Sequence, residues 1–393
     1  MLNVPALQED LAARKLAGWL LYDFRSQNPT AQTALDLAGH MLTRRWFYFV
    51  PARGEPTLIA HAIERDNFPP LPGRRVLYSG WEALMTQLRA LKLGAGPVAM
   101  EYFPLGAIPY LSRVDAGTIE LIRSLGVEIV SSADLVQAFL CRWNADAFAS
   151  HERASDGVYA AVQRGFAYVK ESIANGREPL ELEVQAQLLA EFKARRMTTD
   201  HAPIVAVGPH AGNPHYETGA GGPTKIRRGE LLLLDVWAKE DDRDAAYADI
   251  TWTGVVDDAV RTPRHAEVFK VVADGRDAAL DLVKKAHAQS RSLRGFEADR
   301  AARDLIASRG YGERFLHRTG HNIGCNAVHG DGANLDDFET HDTRELMPRT
   351  CFSIEPGVYL EDFGIRSEID VFLAEDGPRV CAPIQRELVR ILA

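Results

Sequence analysis

The chain has 393 residues, of which 46% are hydrophobic and 25% charged, and its formal net charge at pH 7 is −9. This length and composition are typical of a soluble protein with two domains, and the absence of a Lys/Arg-rich stripe argues against nucleic acid as a partner. Four scattered cysteines without a CxxC pair exclude a zinc ribbon and fit a reducing compartment. Without a signal-peptide pattern or a long apolar run, the sequence predicts a cytoplasmic protein that does not contact membranes.

The first part of the chain, 1–143, alternates helix-like and strand-like segments. Helices are predicted at Leu7–Ala17, Trp81–Leu91 and Thr118–Leu125, and strands at Gly18–Tyr22, Trp46–Val50, Pro56–His61, Arg75–Tyr78, Val98–Glu101 and Val127–Val130. This alternation predicts a small α/β domain with a largely covered sheet. The segment has no phosphate-binding glycine loop and no cluster of ionisable residues. We therefore expect a structural or dimerising domain.

The second part, 144–393, repeats one plan twice: two helices, a loop rich in glycine and histidine, and β-rich segments that carry acids. The predicted helices are Asn144–Asn175, Pro179–Arg196, His265–Ala288 and Glu297–Arg309, and the loops are Gly208–Gly219 and His317–Gly332. The two halves show no residue-level repeat. A pseudo-twofold fold with metal at its centre would explain why both halves contribute acids.

Each of these β-rich parts places two carboxylates inside apolar sequence. Asp235 and Asp249 form the first pair, and Glu355 and Glu368 form the second. An unpaired ionised carboxylate in an apolar interior costs many kcal/mol, so four such acids, with His321 between the pairs, predict a metal site. Four carboxylates and one imidazole suit Mn, Co(II), Fe(II) or Zn rather than copper. Two neighbouring metals would need bridging carboxylates.

Strand alternation predicts which side chains share a face with the proposed ligands. The two sets are Tyr247, Asp249 and Thr251 in one strand, and Arg366, Glu368 and Asp370 in another. Other acids lie in a Gly/Asn-rich loop and are predicted to be solvated surface residues, namely Asp336, Asp337, Glu339 and Asp342. The segment Lys239–Asp244 is predicted to be a charged hairpin tip.

The five proposed ligands and their local motifs resemble those of the pita-bread metallopeptidases, which include methionine aminopeptidase, aminopeptidase P and prolidase. The motifs are Gly-His-Asn-Ile-Gly around His321, Glu-Pro-Gly-Val-Tyr from Glu355, Gly-Ile-Arg-Ser-Glu ending at Glu368, and the strand aspartates Asp235 and Asp249. The resemblance covers 145–393, and 1–143 is similar to the creatinase/prolidase N-terminal domain. It implies an α+β fold with helices over a curved antiparallel sheet, two divalent metal ions (Mn, Co or Zn) and a homodimer.

The spacing from His317 to His321 and from Arg366 to Glu368 resembles the prolidase branch. That resemblance implies a metallo-exopeptidase that hydrolyses Xaa-Pro dipeptides with a hydroxide bridging two metals. It implies catalytic roles for Glu355, His329 and His215, and substrate-binding roles for His317, Arg366 and His329. Arg366 has two expected partners, a substrate carboxylate or the acids Glu368 and Asp370.

Three other functions stay open at this point. One is aminopeptidase P-like release of the first residue from longer Xaa-Pro peptides. Another is a hydrolase or lyase acting on a small polar metabolite, such as an ectoine-type amide, because one fold supports several reactions. The third is a binding protein without activity, which should have lost ligands. The intact set of five disfavours that reading.

Overall fold

The structure is a computed structural model that describes residues 2–93 and 96–393. The chain forms two compact units, one ending at Leu140 and the other beginning at Cys141. This division lies slightly before the boundary expected between 143 and 144. In the part of the chain that the structure describes, no helix is both long and apolar enough to cross a membrane.

The N-terminal unit is a mixed six-stranded sheet with flanking helices. Its strands are β1 (Gly18–Asp23), β2 (Trp46–Pro51), β3 (Thr57–His61), β4 (Arg74–Tyr78), β5 (Val98–Met100) and β6 (Ile129–Ser131). Its helices are α1 (Val4–Ala13), α2 (Pro29–Leu35), α3 (Trp81–Ala90), α4 (Ala116–Arg123) and α5 (Ala133–Val136). The strand order is β4-β3-β2-β1-β5-β6, and all six residues of β1 are buried. The unit is thus the α/β sheet that the alternation predicts.

Helix α1 is shorter than the sequence predicts. It ends at Ala13, whereas the apolar spacing extends to Ala17. Lys15 adopts a left-handed conformation with φ of 59°, and the Ala17 N–H donates to the Pro97 carbonyl at 2.7 Å. The chain therefore leaves the helix to enter β1, because pairing across the sheet replaces helical hydrogen bonds.

The C-terminal unit contains two helix pairs and three sheets. Its helices are α6 (Ala145–Ala174), α7 (Glu181–Ala194), α8 (Pro263–Ala288) and α9 (Gly295–Ser308). Its strands are β7 (Met197–Thr198), β8 (Ile204–Val207), β9 (Leu231–Glu240), β10 (Ala248–Val255), β11 (Asn322–Ile323), β12 (Cys351–Ile354), β13 (Gly357–Tyr359), β14 (Gly364–Arg366), β15 (Ile369–Ala374), β16 (Gly377–Val380) and β17 (Val389–Arg390). The sheets are β17-β10-β9-β7 with β8 beside β9, β11-β12-β15-β16, and β13-β14.

The two halves of this unit repeat the predicted plan. Helices α6 and α7 pack against each other and α6 lies on β9 and β10, while α8 and α9 form the second pair. Leu232, Leu234 and Val236 of β9 belong to the core beneath α6. Since side chains alternate across a strand, Asp235 points to the opposite face. The helices therefore cover one side of the strands, and the acids occupy the other.

The segment that carries Glu368 differs from the expected continuous strand. β14 ends at Arg366 and β15 begins at Ile369. β14 pairs with β13, whereas β15 pairs with β12. The chain thus changes sheets at Ser367 and Glu368, and the Glu368 N–H donates to the Thr251 carbonyl of β10 at 3.2 Å. Glu368 consequently lies where the β13–β14 pair, the β12–β15 pair and strand β10 meet.

Candidate metal centre

Antiparallel pairing of β9 with β10 places the first aspartates close to Thr251. In the ladder, Asp235 lies opposite Thr251. The buried Thr251 hydroxyl is 3.1 Å from Asp235 Oδ1 and 2.7 Å from Glu368 Oε2. It also accepts a hydrogen bond from Arg366 Nε at 2.9 Å. Because a hydroxyl has one proton to donate, Thr251 serves one of these two carboxylates at a time.

A close backbone approach positions the loop that carries His321. A Cβ at Gly320 would lie 1.9 Å from the Ser353 carbonyl oxygen, so only glycine fits there. The neighbouring contacts then fix the loop: the His321 N–H donates to Ser353 Oγ at 3.0 Å, and the Ser353 N–H donates to the His321 carbonyl at 2.8 Å. The glycine before His321 is therefore required by this packing.

The hydrogen bonds of the His321 ring favour the tautomer that a metal ligand needs. Nδ1 lies 3.1 Å from the Asn322 carbonyl, which can only accept, so Nδ1 carries the proton. Nε2 then presents a lone pair, 3.5 Å from both Asp249 Oδ2 and Glu355 Oε1. Burial, with the charge of His329 adding to it, lowers the pKa of His321 well below its usual value, so the ring is neutral.

The proposed ligands do not all converge to the same degree. Ligand atoms of Asp249, His321 and Glu368 lie within 4.8 Å of one another. Glu355 reaches this group through its approach to His321. Asp235 borders it, but its carboxylate is also engaged by the Arg366 guanidinium.

The carboxylates have the environment of a cation site. Burial, followed by the charges of neighbouring acids, raises the pKa of Asp249 and of Glu368 well above their usual values. Burial likewise raises the pKa of Glu355 to about 7. Among the described residues, Asp249 Oδ1, Glu368 Oε1 and Asp370 Oδ1 are buried without a hydrogen-bond partner. Buried acids that repel each other and lack donors fit divalent metal ions, which a set of oxygens and one imidazole nitrogen would hold.

Arg366 has a different partner from those expected. Its guanidinium contacts the Asp235 carboxylate, donates to Thr251, and lies 3.3 Å from the Tyr359 hydroxyl. Although burial opposes the charge, Asp235 raises the pKa of Arg366 well above its usual value. Arg366 therefore orients a proposed ligand, and a substrate carboxylate would have to compete with Asp235 for it.

His317 is joined to the same network. Its Nδ1 lies 2.7 Å from the Arg318 carbonyl and therefore carries the proton, while Nε2 accepts from the Tyr359 hydroxyl at 2.7 Å. Burial, followed by the charge of Arg366, lowers the pKa of His317 to about 3. Both ring nitrogens are engaged in hydrogen bonds, so a substrate would contact the face of the ring.

His329 and His215 lie towards the outside of the site. The His329 ring is 4.2 Å from the His321 ring and nearly perpendicular to it. Desolvation, followed by the charges of Arg318 and His215, lowers the pKa of His329. His215 is exposed, and its backbone N–H donates to Asn213 Oδ1 at 3.1 Å. His215 is thus close enough to act electrostatically on His329.

Two contacts position the loop that carries His215. A Cβ at Gly364 would lie 1.8 Å from the Ala211 carbonyl oxygen, so β14 packs directly on the loop. The buried Glu181 carboxylate accepts from the Tyr216 hydroxyl at 2.7 Å and pairs with His210 Nδ1 at 2.9 Å. Glu181 is therefore a buried anchor of this loop.

The predicted surface acids are partly buried instead. Asp336 and Asp342 have no exposed surface. Asp336 accepts from the backbone N–H groups of Glu339 and Thr340, and Asp342 forms a buried ion pair with Arg344 at 2.7 Å. The expectation was wrong for these two acids, because a folded loop must satisfy its own backbone donors.

The hairpin tip also begins two residues later than expected, because it spans 241–247. β9 continues through Lys239 and Glu240, and β10 begins at Ala248. Lys239 is only 9% exposed, and its ammonium donates to the carbonyls of Arg243 at 3.1 Å and Cys325 at 2.8 Å. Lys239 thus fastens the tip to the loop that follows His321.

Three residues beside the site are not among the sequence-based candidates. Arg318 lies inside the predicted His317–His321 motif, and its charge acts on His317, His321, His329 and Glu355. Trp237 follows Asp235 on the same strand face, and its indole N–H donates to Asp200 Oδ1 at 2.7 Å. Strand alternation was a usable signal for Trp237, whereas no local pattern indicated Asp200.

Comparison with curated proteins gives relatives over part of the chain. An Xaa-Pro dipeptidase of Lactobacillus delbrueckii subsp. lactis is 32% identical over 239 residues, which cover 58% of this chain and 56% of that protein. An Xaa-Pro dipeptidase of Pyrococcus furiosus is 27% identical over 220 residues, 56% of this chain and 58% of that protein. The chain spans about half the length of the curated relatives it matches.

Solved structures resemble the whole chain. Dipeptidase PepE from Mycobacterium ulcerans gives a TM-score of 0.74 at 22% identity, covering 98% of this chain and 96% of the other. This likeness confirms the expected pita-bread fold with a smaller α/β domain. The model of metallopeptidase family M24 matches residues 149–375, which hold all five proposed ligands. The chain therefore belongs to metallopeptidase family M24.

Proposed function

We propose that this protein hydrolyses Xaa-Pro dipeptides as a metal-dependent exopeptidase. The observation that carries this proposal is the convergence of Asp249, His321 and Glu368, whose buried ligand atoms lie within 4.8 Å of one another. Relatives named Xaa-Pro dipeptidase support the choice of substrate.

The five ligands predicted from the sequence are the residues that would hold two divalent ions, namely Asp235, Asp249, His321, Glu355 and Glu368. When bound, Mn, Co or Zn ions would polarise the scissile carbonyl and lower the pKa of a water molecule. The Arg366 guanidinium would keep Asp235 oriented towards this site.

Glu355 is the proposed proton carrier. Its carboxylate takes a proton from the water that attacks the scissile carbonyl carbon and delivers it to the proline nitrogen as the C–N bond breaks. That nitrogen has no hydrogen of its own and leaves poorly until it is protonated. Ser353 Oγ lies 3.3 Å from Glu355 Oε1 and helps to orient the carboxyl group.

His329 and His215 are the proposed stabilisers of the developing oxyanion. The lowered pKa of His329 keeps its ring neutral at working pH, with one N–H to donate. A neutral donor aimed at the oxyanion stabilises the transition state without forming a permanent ion pair. His317 would form part of the proline pocket through its ring face.

Aminopeptidase P-like activity is the second candidate, and one contact favours it. If Arg366 stays on Asp235, it cannot restrict the substrate to dipeptides by holding a terminal carboxylate. Selection of dipeptides over longer peptides would then require another cation to bind the terminal carboxylate. The Arg318 side chain is 16% exposed and forms an ion pair with Glu339 at 3.7 Å, and its charge acts on Glu355 and His329.

We expect Arg318→Gln to separate these two activities. If Arg318 holds the C-terminal carboxylate of a dipeptide, the variant should lose about 10- to 150-fold in kcat/KM on Ala-Pro, the value of one charged hydrogen bond. Ala-Pro-Ala should be affected less, because each added residue moves the carboxylate by about 3.5 Å. Steady-state kinetics on both peptides measures this difference. Arg366→Lys is the control, since a change at Asp235 should slow both substrates equally.

Product analysis with the unmodified protein tests the function itself. Ala-Pro, Ala-Pro-Ala and an ectoine-type amide would be supplied separately with Mn, Co and Zn. Rapid cleavage of Ala-Pro with slow cleavage of Ala-Pro-Ala supports the dipeptidase. Comparable rates on both peptides would replace it by the aminopeptidase P-like activity. Turnover of the amide alone would replace both by a metabolite hydrolase.

A further inference from the structure

Trp237 lies beside the candidate metal centre on the strand that carries Asp235. In the β9–β10 ladder it is directly opposite Asp249, and directly opposite residues have Cβ atoms about 4.5–5.5 Å apart on one face of the sheet. Trp237 is half-buried and packs against a cluster that contains Tyr247 and Val328. Its indole therefore lies beside Asp249, on the face of the sheet that carries the proposed ligands.

The indole holds an acid that none of the proposed catalytic steps uses. Asp200 Oδ1 accepts the Trp237 N–H at 2.7 Å, while the Asp200 side chain keeps 32% of its surface exposed. Its neighbour His201 is 83% exposed, with Nδ1 3.6 Å from the same oxygen. Asp200 is thus a fixed carboxylate that still faces solvent.

The strand pairing shows where this carboxylate lies. Trp237, which holds it, is opposite Asp249 and follows Asp235 on the same strand face, so Asp200 lies on the side of the sheet that carries the proposed ligands. The positive charge of Arg318 suits an oxyanion or a carboxylate. The negative charge of Asp200 instead suits a cation, and a free dipeptide carries its ammonium group only two bonds from the scissile carbonyl carbon.

We propose that Asp200, held in place by the Trp237 indole, binds the α-ammonium group of the substrate and makes the enzyme select peptides with a free amino terminus. Asp200 is then a specificity-determining residue, and Trp237 is its positioning residue. This inference rests on the proposed peptidase function, and it concerns the amino end of the substrate rather than its length.

The experiment compares Ala-Pro with propionyl-Pro, which is identical except that it lacks the amino group. Asp200→Asn keeps an oxygen that can accept the Trp237 N–H but removes the charge. We expect this variant to lose about 10- to 100-fold in kcat/KM on Ala-Pro, mainly through KM, with little change on propionyl-Pro. Trp237→Phe should give a smaller loss of the same selectivity. Asp241→Asn, at the exposed hairpin tip, is the matched control and should change neither substrate.

Two outcomes would overturn the inference. Equal losses on both substrates would mean that Asp200 only supports the local fold, and unchanged kinetics would mean that the ammonium group binds elsewhere. If the unmodified protein cleaves neither peptide, the proposed function fails. The affinities for Ala-Pro and propionyl-Pro, measured by calorimetry, then test the inference independently of turnover. A preference for Ala-Pro that Asp200→Asn removes would uphold it, and equal binding of the two compounds would refute it.

Discussion

Asp249→Asn is expected to lower kcat/KM by several orders of magnitude while leaving the protein folded. The Asp249 carboxylate is buried and lies among the ligand atoms of His321 and Glu368, and a neutral amide is a poor bridge between metals. The fold should survive because the contact of this residue with Asp370 is made by the Asp249 backbone N–H, at 2.7 Å, and not by its side chain. Removing a buried charge should even stabilise the metal-free protein.

Kinetics, metal analysis and thermal unfolding of the variant test these expectations together. Asp281→Asn, an exposed change of the same chemistry on α8, should behave like the unmodified protein in all three measurements. Normal turnover together with a metal content near that of the unmodified protein would show that Asp249 is not a ligand. An unfolded Asp249→Asn variant would contradict the view that this side chain serves the site rather than the fold.

Local sequence was sufficient to select three proposed ligands whose side chains converge in the structure. Asp249 and Glu368 stand among apolar residues, and His321 follows a glycine, so each has a pattern that can be recognised without knowing the fold. The strand break before Ile369 was not predictable in the same way. It exists because β14 and β15 pair with different strands, and pairing partners are a property of the tertiary structure.

The partner of Arg366 illustrates a further limit. Its contact with Asp235 joins residues 131 positions apart, whereas the sequence offered the adjacent acids Glu368 and Asp370. Proximity in sequence favours neighbours on the same strand, but the fold brings β9 closer to this guanidinium. The burial of Asp336 was missed for a related reason, since loop acids are ordinarily solvated unless the loop folds its own N–H groups around them.

Helix α2 is short, but its start has strong local signals, so it could have been predicted from the sequence. Helix α2 was not among the predicted helices, although Asn28 precedes Pro29 at its start. The Asn28 side chain accepts from the Ala31 N–H at 3.1 Å, and proline occupies the first turn. Both features are known start signals. Seven residues are too few for an apolar period to stand out, so capping was the more informative evidence.

Removing bound metal with a chelator is expected to abolish turnover and to lower the melting temperature, more at pH 8 than at pH 5. In the metal-free protein, burial raises the pKa values of Asp249 and Glu368, and that of Glu355 to about 7. The folded state then keeps protons that the unfolded state has released. This contribution to stability is complete below the unfolded pKa values, near 4, and is lost as pH rises through the folded values.

Metal binding should cancel this loss, because the ligands bind metal in their ionised form and protons compete with it. For Glu355 alone, a change from 4.5 to about 7 corresponds to on the order of 3 kcal/mol at high pH. Calorimetric melting with and without chelator at pH 5, 6, 7 and 8 should therefore show a difference that widens with pH. In Asp249→Asn, which lacks one of the repelling charges, the metal-free protein should lose less stability across this range. A difference in melting temperature that stays constant from pH 5 to pH 8, or turnover that survives chelation, would mean that these buried carboxylates are not neutralised by metal and must share protons instead.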